Sequence, residues 1–267
     1  MTLTQIEHAA ATFTNDSDLN YIPSDKALSP DLVGVKMFDA PIIAVAEAND
    51  LGFGVLQTEG VVGAHHTVPS DWVPGAKSVI ALFFPFTEEI RLGNRLDMSY
   101  PSNGWLNARI EGQRFVAECS RHLVELITQA GYAAVAPALD ERLKMGHNTS
   151  NWSERHVAFV CGLGSFGLSA GFITERGTAG RFASVVTSLA LDAPEKEERG
   201  VYANCLMCGK CARNCPVGAI NVEHGKDHDK CGAFLDRVRE DHAPWYGCGK
   251  CQVAVPCESR NPVRRKG

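Results

Sequence analysis

Eight cysteines crowd into residues 205–257 of a 267-residue chain, and the first four stand as Cys205-x2-Cys208-x2-Cys211-x3-Cys215 with Pro216 directly behind. Thiolates at this spacing in one loop follow the bacterial pattern for 4Fe-4S ligation, whereas tetrahedral zinc favours separated cysteine pairs. In two-cluster proteins the fourth cysteine of such a run serves the other cluster, so a second set is required. Cys231, Cys248, Cys251 and Cys257 supply it. The expected allocation is Cys205, Cys208, Cys211 and Cys257 to one cluster, and Cys215, Cys231, Cys248 and Cys251 to the other. The second set is irregular, with five residues between Cys251 and Cys257 and Pro256 before the last cysteine. Zinc, or a single cluster, stays open for that half.

An electron relay of this kind needs only a few dozen residues, so the preceding two hundred must hold the acceptor or dock it. Their candidates are softer. GLGSFG, residues 162–167, matches the dinucleotide pattern G-x-G-x-x-G, but that pattern carries weight only between a strand and a helix. Here SERHVAFVC before it reads as helix, and LSAGFITERGTAG after it makes a poor one. A glycine turn that lets backbone approach something bulky is the better reading. His65, His66 and His147 are metal or proton-shuttle candidates, set against ordinary surface or structural histidines. Glu154, Arg155 and His156 are adjacent, so on a helix they point different ways. No catalytic triad is legible.

The elements that position these groups follow from periodicity. Residues 1–30 read as a short helix, with Leu3, Ile6 and Ala10 on one face, followed by a polar arm. Residues 31–38 read as a strand, and residues 72–86 as a Pro-Gly turn leading into a buried strand. Apolar residues from Leu106 through Ile127 keep a helical period up to a stop at Gly131, with Cys119 buried as an inert thiol. Residues 132–137 read as a strand, and Ser153 as the cap of a helix ending near Gly162. Residues 172–174 and 181–191 read as a hairpin around GTAG. The acidic stretch APEKEERG links this body to the cysteine module. The expected organisation is an α+β protein: an arm over 1–30, a body over 31–199 and a cluster module over 200–267.

Composition narrows the function classes. The formal charge of −5 gives no electrostatic footprint for nucleic acid, and Arg264, Arg265 and Lys266 form a short basic tail. The N-terminus lacks the pattern of a signal peptide, and the longest apolar run, residues 79–86, is far short of the ~20 residues that span a bilayer. With clustered rather than dispersed cysteines, the expectation is a cytoplasmic, oxygen-sensitive iron–sulfur protein that binds neither nucleic acid nor membrane.

SDWVPGAKSVIALFFPF, NWSERHVAFVCGLGSFG, CLMCGKCARNCPVGAI and CGKCQ, in this order, resemble the epoxyqueuosine reductase family, which is similar in turn to reductive dehalogenases. The resemblance spans residues 31–257. It implies a nitroreductase-like α/β body holding cobalamin and a ferredoxin-like module with two 4Fe-4S clusters. By resemblance Gly162, Gly164 and Gly167 lie along the corrinoid and Arg155 faces the site. Two departures stand out. Asn148 occupies the position of the family's proton-donating aspartate, and the helical tRNA-binding region that follows the cluster domain in the family has no counterpart here, so a non-tRNA substrate is expected. The reading is a reductase whose clusters feed a bound corrinoid from a donor such as a ferredoxin or flavodoxin. The alternatives are an electron donor to a corrinoid protein and an FMN enzyme on the same body.

Overall fold

The structure, a computed structural model, describes residues 1–146, 149–194 and 200–263. His147, Asn148, residues 195–199 of the linker and the basic tail from Arg264 lie outside the described residues.

The body is built on a four-stranded antiparallel sheet of order β1-β2-β8-β3. Its strands are β1 (Ile42–Glu47), β2 (Ser78–Pro85), β8 (Gly180–Thr187) and the short β3 (Ala134–Val135). β2 is buried along its whole length, and its two-residue period splits its side chains between two cores. Ile80, Leu82 and Phe84 enter one core, against α1 (Leu3–Asp16) and α5 (Asn103–Gln129). Val79, Ala81 and Phe83 enter the other, with Phe53, Trp72, Trp152 and Val157. That second core is covered by α2 (Leu51–Val55), α3 (Pro69–Trp72) and α6 (Glu154–Val160). A sheet covered on both faces explains the unbroken apolar run.

Capping sets the helix ends. Thr2 and Gln5 form a reciprocal capping box on α1, which buries Ile6 and Ala10. The Ser102 hydroxyl accepts from Trp105 N–H to start α5, and Gly131, at φ 90°, ends it. Cys119 on α5 is fully buried, with its thiol pushed up to about 12 by burial.

Three expectations are corrected. Residues 31–38 are not a strand: Pro30–Leu32 form a 3-10 turn, and Lys36 and Phe38 make single bridges to Tyr21 and Phe86. The strand expected at 132–137 shrinks to Ala134–Val135, because the chain turns at Pro137. The hairpin is paired differently: β7 (Phe172–Thr174) folds back on β6 (Gly164–Phe166), while β8 crosses to β2. β8 is the better match for β2 because only a long, largely apolar strand can close the sheet beside it.

The remaining elements are α4 (Glu88–Gly93), the bridging pair β4 (Met145–Gly146) and β5 (Thr149–Ser150), and the cysteine module. In the module α7 (Lys210–Arg213) is one turn, β9 (Ile220–Asn221) pairs with β10 (Gly225–Lys226), and α8 (His228–His242) packs Phe234 and Val238 beside Leu106 of α5. The chain then returns over the body. Lys250 Nζ donates to Asn94 O and Oδ1 at 2.7 and 2.8 Å. Gly249 lies so close to α5 that a Cβ there would fall 2.0 Å from the Trp105 ring.

Candidate functional site

The fold sorts the eight cysteines into two cavities. Cys205, Cys208, Cys211 and Cys257 line one, with Leu168, Thr178 and Val255. Cys215, Cys231, Cys248 and Cys251 line another of about 150 Å³, against Trp105 and Arg181. We call them the outer and inner cavities, because Cys208 of the outer set is exposed while the other seven are half-buried. Local sequence explains both loops. The tetrad Cys-Gly-Lys-Cys occurs at 208–211 and again at 248–251, and its glycines, Gly209 and Gly249, take φ of 67° and 70°, where a side chain would be strained. Cys257 reaches the outer set because the segment after Val253 folds back, with Asn214 Nδ2 donating to Val253 O at 2.9 Å.

These donors fit clusters better than single ions. Their spacing follows the 4Fe-4S pattern, although among the described residues no group of three or more His, Cys, Asp or Glu side chains is gathered closely enough to hold a metal ion. Four thiols line each cavity, the outer one of about 20 Å³ being much the smaller. Ala219 N–H donates to Cys215 Sγ at 3.2 Å, a bond of the kind that tunes cluster potentials. Burial pushes Cys211 up to about 11 and Cys248 and Cys257 up to about 12, with neighbouring thiols adding to it. Iron binding would reverse that, releasing protons as the thiols became thiolates.

Between the body and the module lies a far larger cavity of about 1670 Å³, above the ~300–1,000 Å³ usual for drug-sized ligands. Arg155, Gly162, Gly164 and Gly167 all line it. The glycine stretch joins α6 to the β6–β7 hairpin with no helix after it, so it is not a dinucleotide fingerprint. At Gly164 the missing side chain serves the hairpin itself, since a Cβ there would meet Ile173 O of β7 at 2.2 Å. The large cavity meets both thiol cavities, sharing Arg109 and Lys226 with the inner one and Gly167 and Leu168 with the outer one.

Helix α6 distributes its polar residues as its period dictates. Ser153, Arg155 and His156 line the large cavity, while Glu154 does not. Arg155 is exposed into it and is steadied by a hydrogen bond from Nη1 to Ala170 O. Glu154 turns to the sheet, where burial raises its carboxyl to about 7 and the Ser184 hydroxyl draws it back slightly; neither carboxyl oxygen has a well-formed hydrogen bond. Ser153 Oγ meets His156 Nδ1 at 2.7 Å. His66 Nε2 accepts from Ser153 N–H at 3.2 Å, and burial lowers both His66 and His156 to about 4. Both are therefore neutral near pH 7. His66 stacks on Trp152 and is structural, and His65 Nε2 contacts Thr149 Oγ1 at 2.6 Å on the cavity side. Sequence reasoning missed Arg109, Arg181 and Lys226, which lie far apart in the chain. Lys250 was within reach, since it sits inside the repeated Cys-Gly-Lys-Cys.

No protein-family profile matches the chain. It is 26% identical over 206 residues to an epoxyqueuosine reductase of Bacillus cereus, an alignment covering 71% of this chain and 50% of that one. The chain thus spans about half the length of the curated relative it matches. Among solved structures, a selenomethionine-labelled epoxyqueuosine reductase superposes with a TM-score of 0.52 at 18% identity, covering 81% of this chain and 61% of that one. An epoxyqueuosine reductase from Streptococcus thermophilus gives 0.51 at 15% identity, covering 84% and 65%. A catabolic reductive dehalogenase in complex with 3-bromo-4-hydroxybenzoic acid gives 0.52 at 15% identity, covering 98% and 37%. The sequence resemblance and the shared fold agree.

Proposed function

We propose that this epoxyqueuosine reductase-like chain is a reductase that holds two 4Fe-4S clusters in its thiol cavities and a corrinoid in its large cavity. The observation that carries the reading is the adjacency of the three cavities, the two thiol cavities each sharing wall residues with the large one. When bound, the clusters supply one-electron transfer and the corrinoid supplies low-valent cobalt chemistry.

The chain's own residues do the rest. Cys205, Cys208, Cys211 and Cys257 hold the outer cluster, and Cys215, Cys231, Cys248 and Cys251 the inner one. Gly162, Gly164 and Gly167 let the backbone lie against the macrocycle, and Arg155 presents its guanidinium to the cofactor or substrate. Phe159, Val160 and Phe166 line the same cavity and exclude water. The body takes the cofactor-holding role of a nitroreductase-like domain, and the module the role of a ferredoxin. Electrons enter from a soluble donor at the exposed Cys208. Nothing in the comparisons supports FMN in the cavity. Among the described residues no helix is long and apolar enough to cross a membrane.

The reading is tested by anaerobic reconstitution of the chain with iron and sulfide, followed by titration with hydroxocobalamin. Two clusters per chain and stoichiometric binding are expected. A chain that forms clusters yet leaves the corrinoid free would instead favour a donor that reduces a cobalt centre on another protein.

A further inference from the structure

The two thiol cavities differ in charge. Besides its cysteines the outer cavity has only uncharged walls, among them Leu168, Ile173, Thr178 and Val255. The inner one is lined by Arg109, Arg181, Lys226 and Lys250. None of these four makes a close ion pair with a carboxylate among the described residues, although Asp97 acts on Lys250 from a distance. The Arg181 guanidinium donates to Gln113 Oε1. Arg109 Nη2 donates to the Tyr246 hydroxyl at 2.9 Å. Lys250, fully buried, bonds only the backbone and side-chain oxygens of Asn94.

Elsewhere the chain neutralises buried charge: Arg91 and Arg95 both pair with the buried Glu258. A buried cation without a counter-ion is costly. At this cavity Lys250 is fully buried while Arg109, Arg181 and Lys226 are half-buried, and the four together favour an anion that the side chains alone do not provide. A 4Fe-4S core on four thiolates is that anion, a net dianion when oxidised and a trianion when reduced. Cations at its edge stabilise the trianion more, and net charge is among the determinants of cluster potential.

We propose that Arg109, Arg181, Lys226 and Lys250 hold the inner cluster at a higher reduction potential than the outer one, so that an electron entering at Cys208 settles beside the large cavity. This rests on the two-cluster reading above. The step is a one-electron exchange: the outer core goes from reduced to oxidised, the inner core from oxidised to reduced, and no bond is made or broken. A low-potential external donor, dithionite in the test, supplies the electron.

The test is a potentiometric titration of the anaerobically reconstituted full chain without corrinoid, followed by electron paramagnetic resonance. Two one-electron transitions are expected, with the inner cluster holding the electron at least tenfold more often, which corresponds to about 59 mV. Cys208→Ser, which alters an outer ligand, should change the spectrum of the lower-potential signal only. Arg181→Gln and Lys226→Gln should each lower the higher potential and leave the other in place, and Lys226→Arg should restore it. Lys226 makes no ion pair with any described residue, so Lys226→Gln carries the test if Arg181→Gln fails to fold. Equal potentials, or two signals unmoved by both substitutions, would overturn the inference. Iron content short of two clusters would overturn the two-cluster reading beneath it.

Discussion

Glu258 and Arg95 are joined by two parallel hydrogen bonds, Nε to Oε2 at 3.0 Å and Nη2 to Oε1 at 2.6 Å, across 163 residues of chain. Arg91 Nη1 adds a third at 2.8 Å, and Ala254 N–H donates to Oε2 at 2.6 Å. This clamp lies one residue beyond Cys257, so it fixes where the last ligand of the outer set can stand. Breaking a buried ion pair by removing one partner costs ~3–5 kcal/mol. Glu258→Ala is expected to lose about that much in denaturant unfolding and to retain less iron after reconstitution. Unchanged iron content would show that Cys257 is positioned by its own loop.

Gly249 is a second point where the module is fitted to the body. Its φ of 70° and the Trp105 ring, 2.0 Å from where a Cβ would lie, leave no space for a methyl group. Gly249→Ala is expected to destabilise by ~1–3 kcal/mol through overpacking and to impair the inner cluster more than the outer. Iron counts with spectra of the two reduced signals check this.

Arg155 is exposed into the large cavity and has no carboxylate partner among the described residues. Arg155→Ala should weaken hydroxocobalamin binding about tenfold, the loss of one charge-assisted contact of ~1.4 kcal/mol. Iron content and thermal midpoint should hold. Unaltered corrinoid affinity would assign the guanidinium to the substrate instead.

Buried groups pull the pH dependence of stability in opposite directions, Glu154 one way and His66 with His156 the other. Glu154 is raised from 4.5 to about 7, so between those values the folded chain binds the extra proton and stability falls as pH rises. His66 is lowered from 6.5 to about 4, so below 6.5 the unfolded chain binds the extra proton and stability falls as pH drops. Glu154→Gln should therefore remove the falling component, up to ~3 kcal/mol across its window, and leave stability rising more steeply from pH 4.5 to 6.5. Denaturant midpoints over pH 4.5–7.5 measure it. Parallel curves for the two proteins would mean that Glu154 titrates normally.

What was legible in the sequence was what is encoded locally. The amphipathic stripe of α5, the unbroken apolar run of β2 and the cysteine spacing each follow from neighbours within a few residues. The pairing of β8 was not, because its partner β2 lies about a hundred residues away while a turn-rich stretch suggests a local hairpin. α8 was hidden for a different reason: it buries only Phe234 and Val238, too few to print a helical period. The basic lining of the inner cavity assembles from α5, β8, the β9–β10 hairpin and the second Cys-Gly-Lys-Cys turn, and no single stretch announces it.

The central claim is that the clusters deliver electrons to a corrinoid held by this chain. The direct measurement is to reduce the reconstituted protein anaerobically with dithionite, remove the reductant, mix with one equivalent of hydroxocobalamin and record electron paramagnetic resonance spectra over time. Two reduced clusters carry two electrons and cobalt(III) to cobalt(II) takes one, so the account predicts loss of one electron equivalent of reduced-cluster signal per chain with a stoichiometric cob(II)alamin signal from protein-bound cobalt, abolished in Cys248→Ser. Clusters that stay reduced beside oxidised cobalamin, or cobalt reduced equally well by the Cys248→Ser protein, would contradict it.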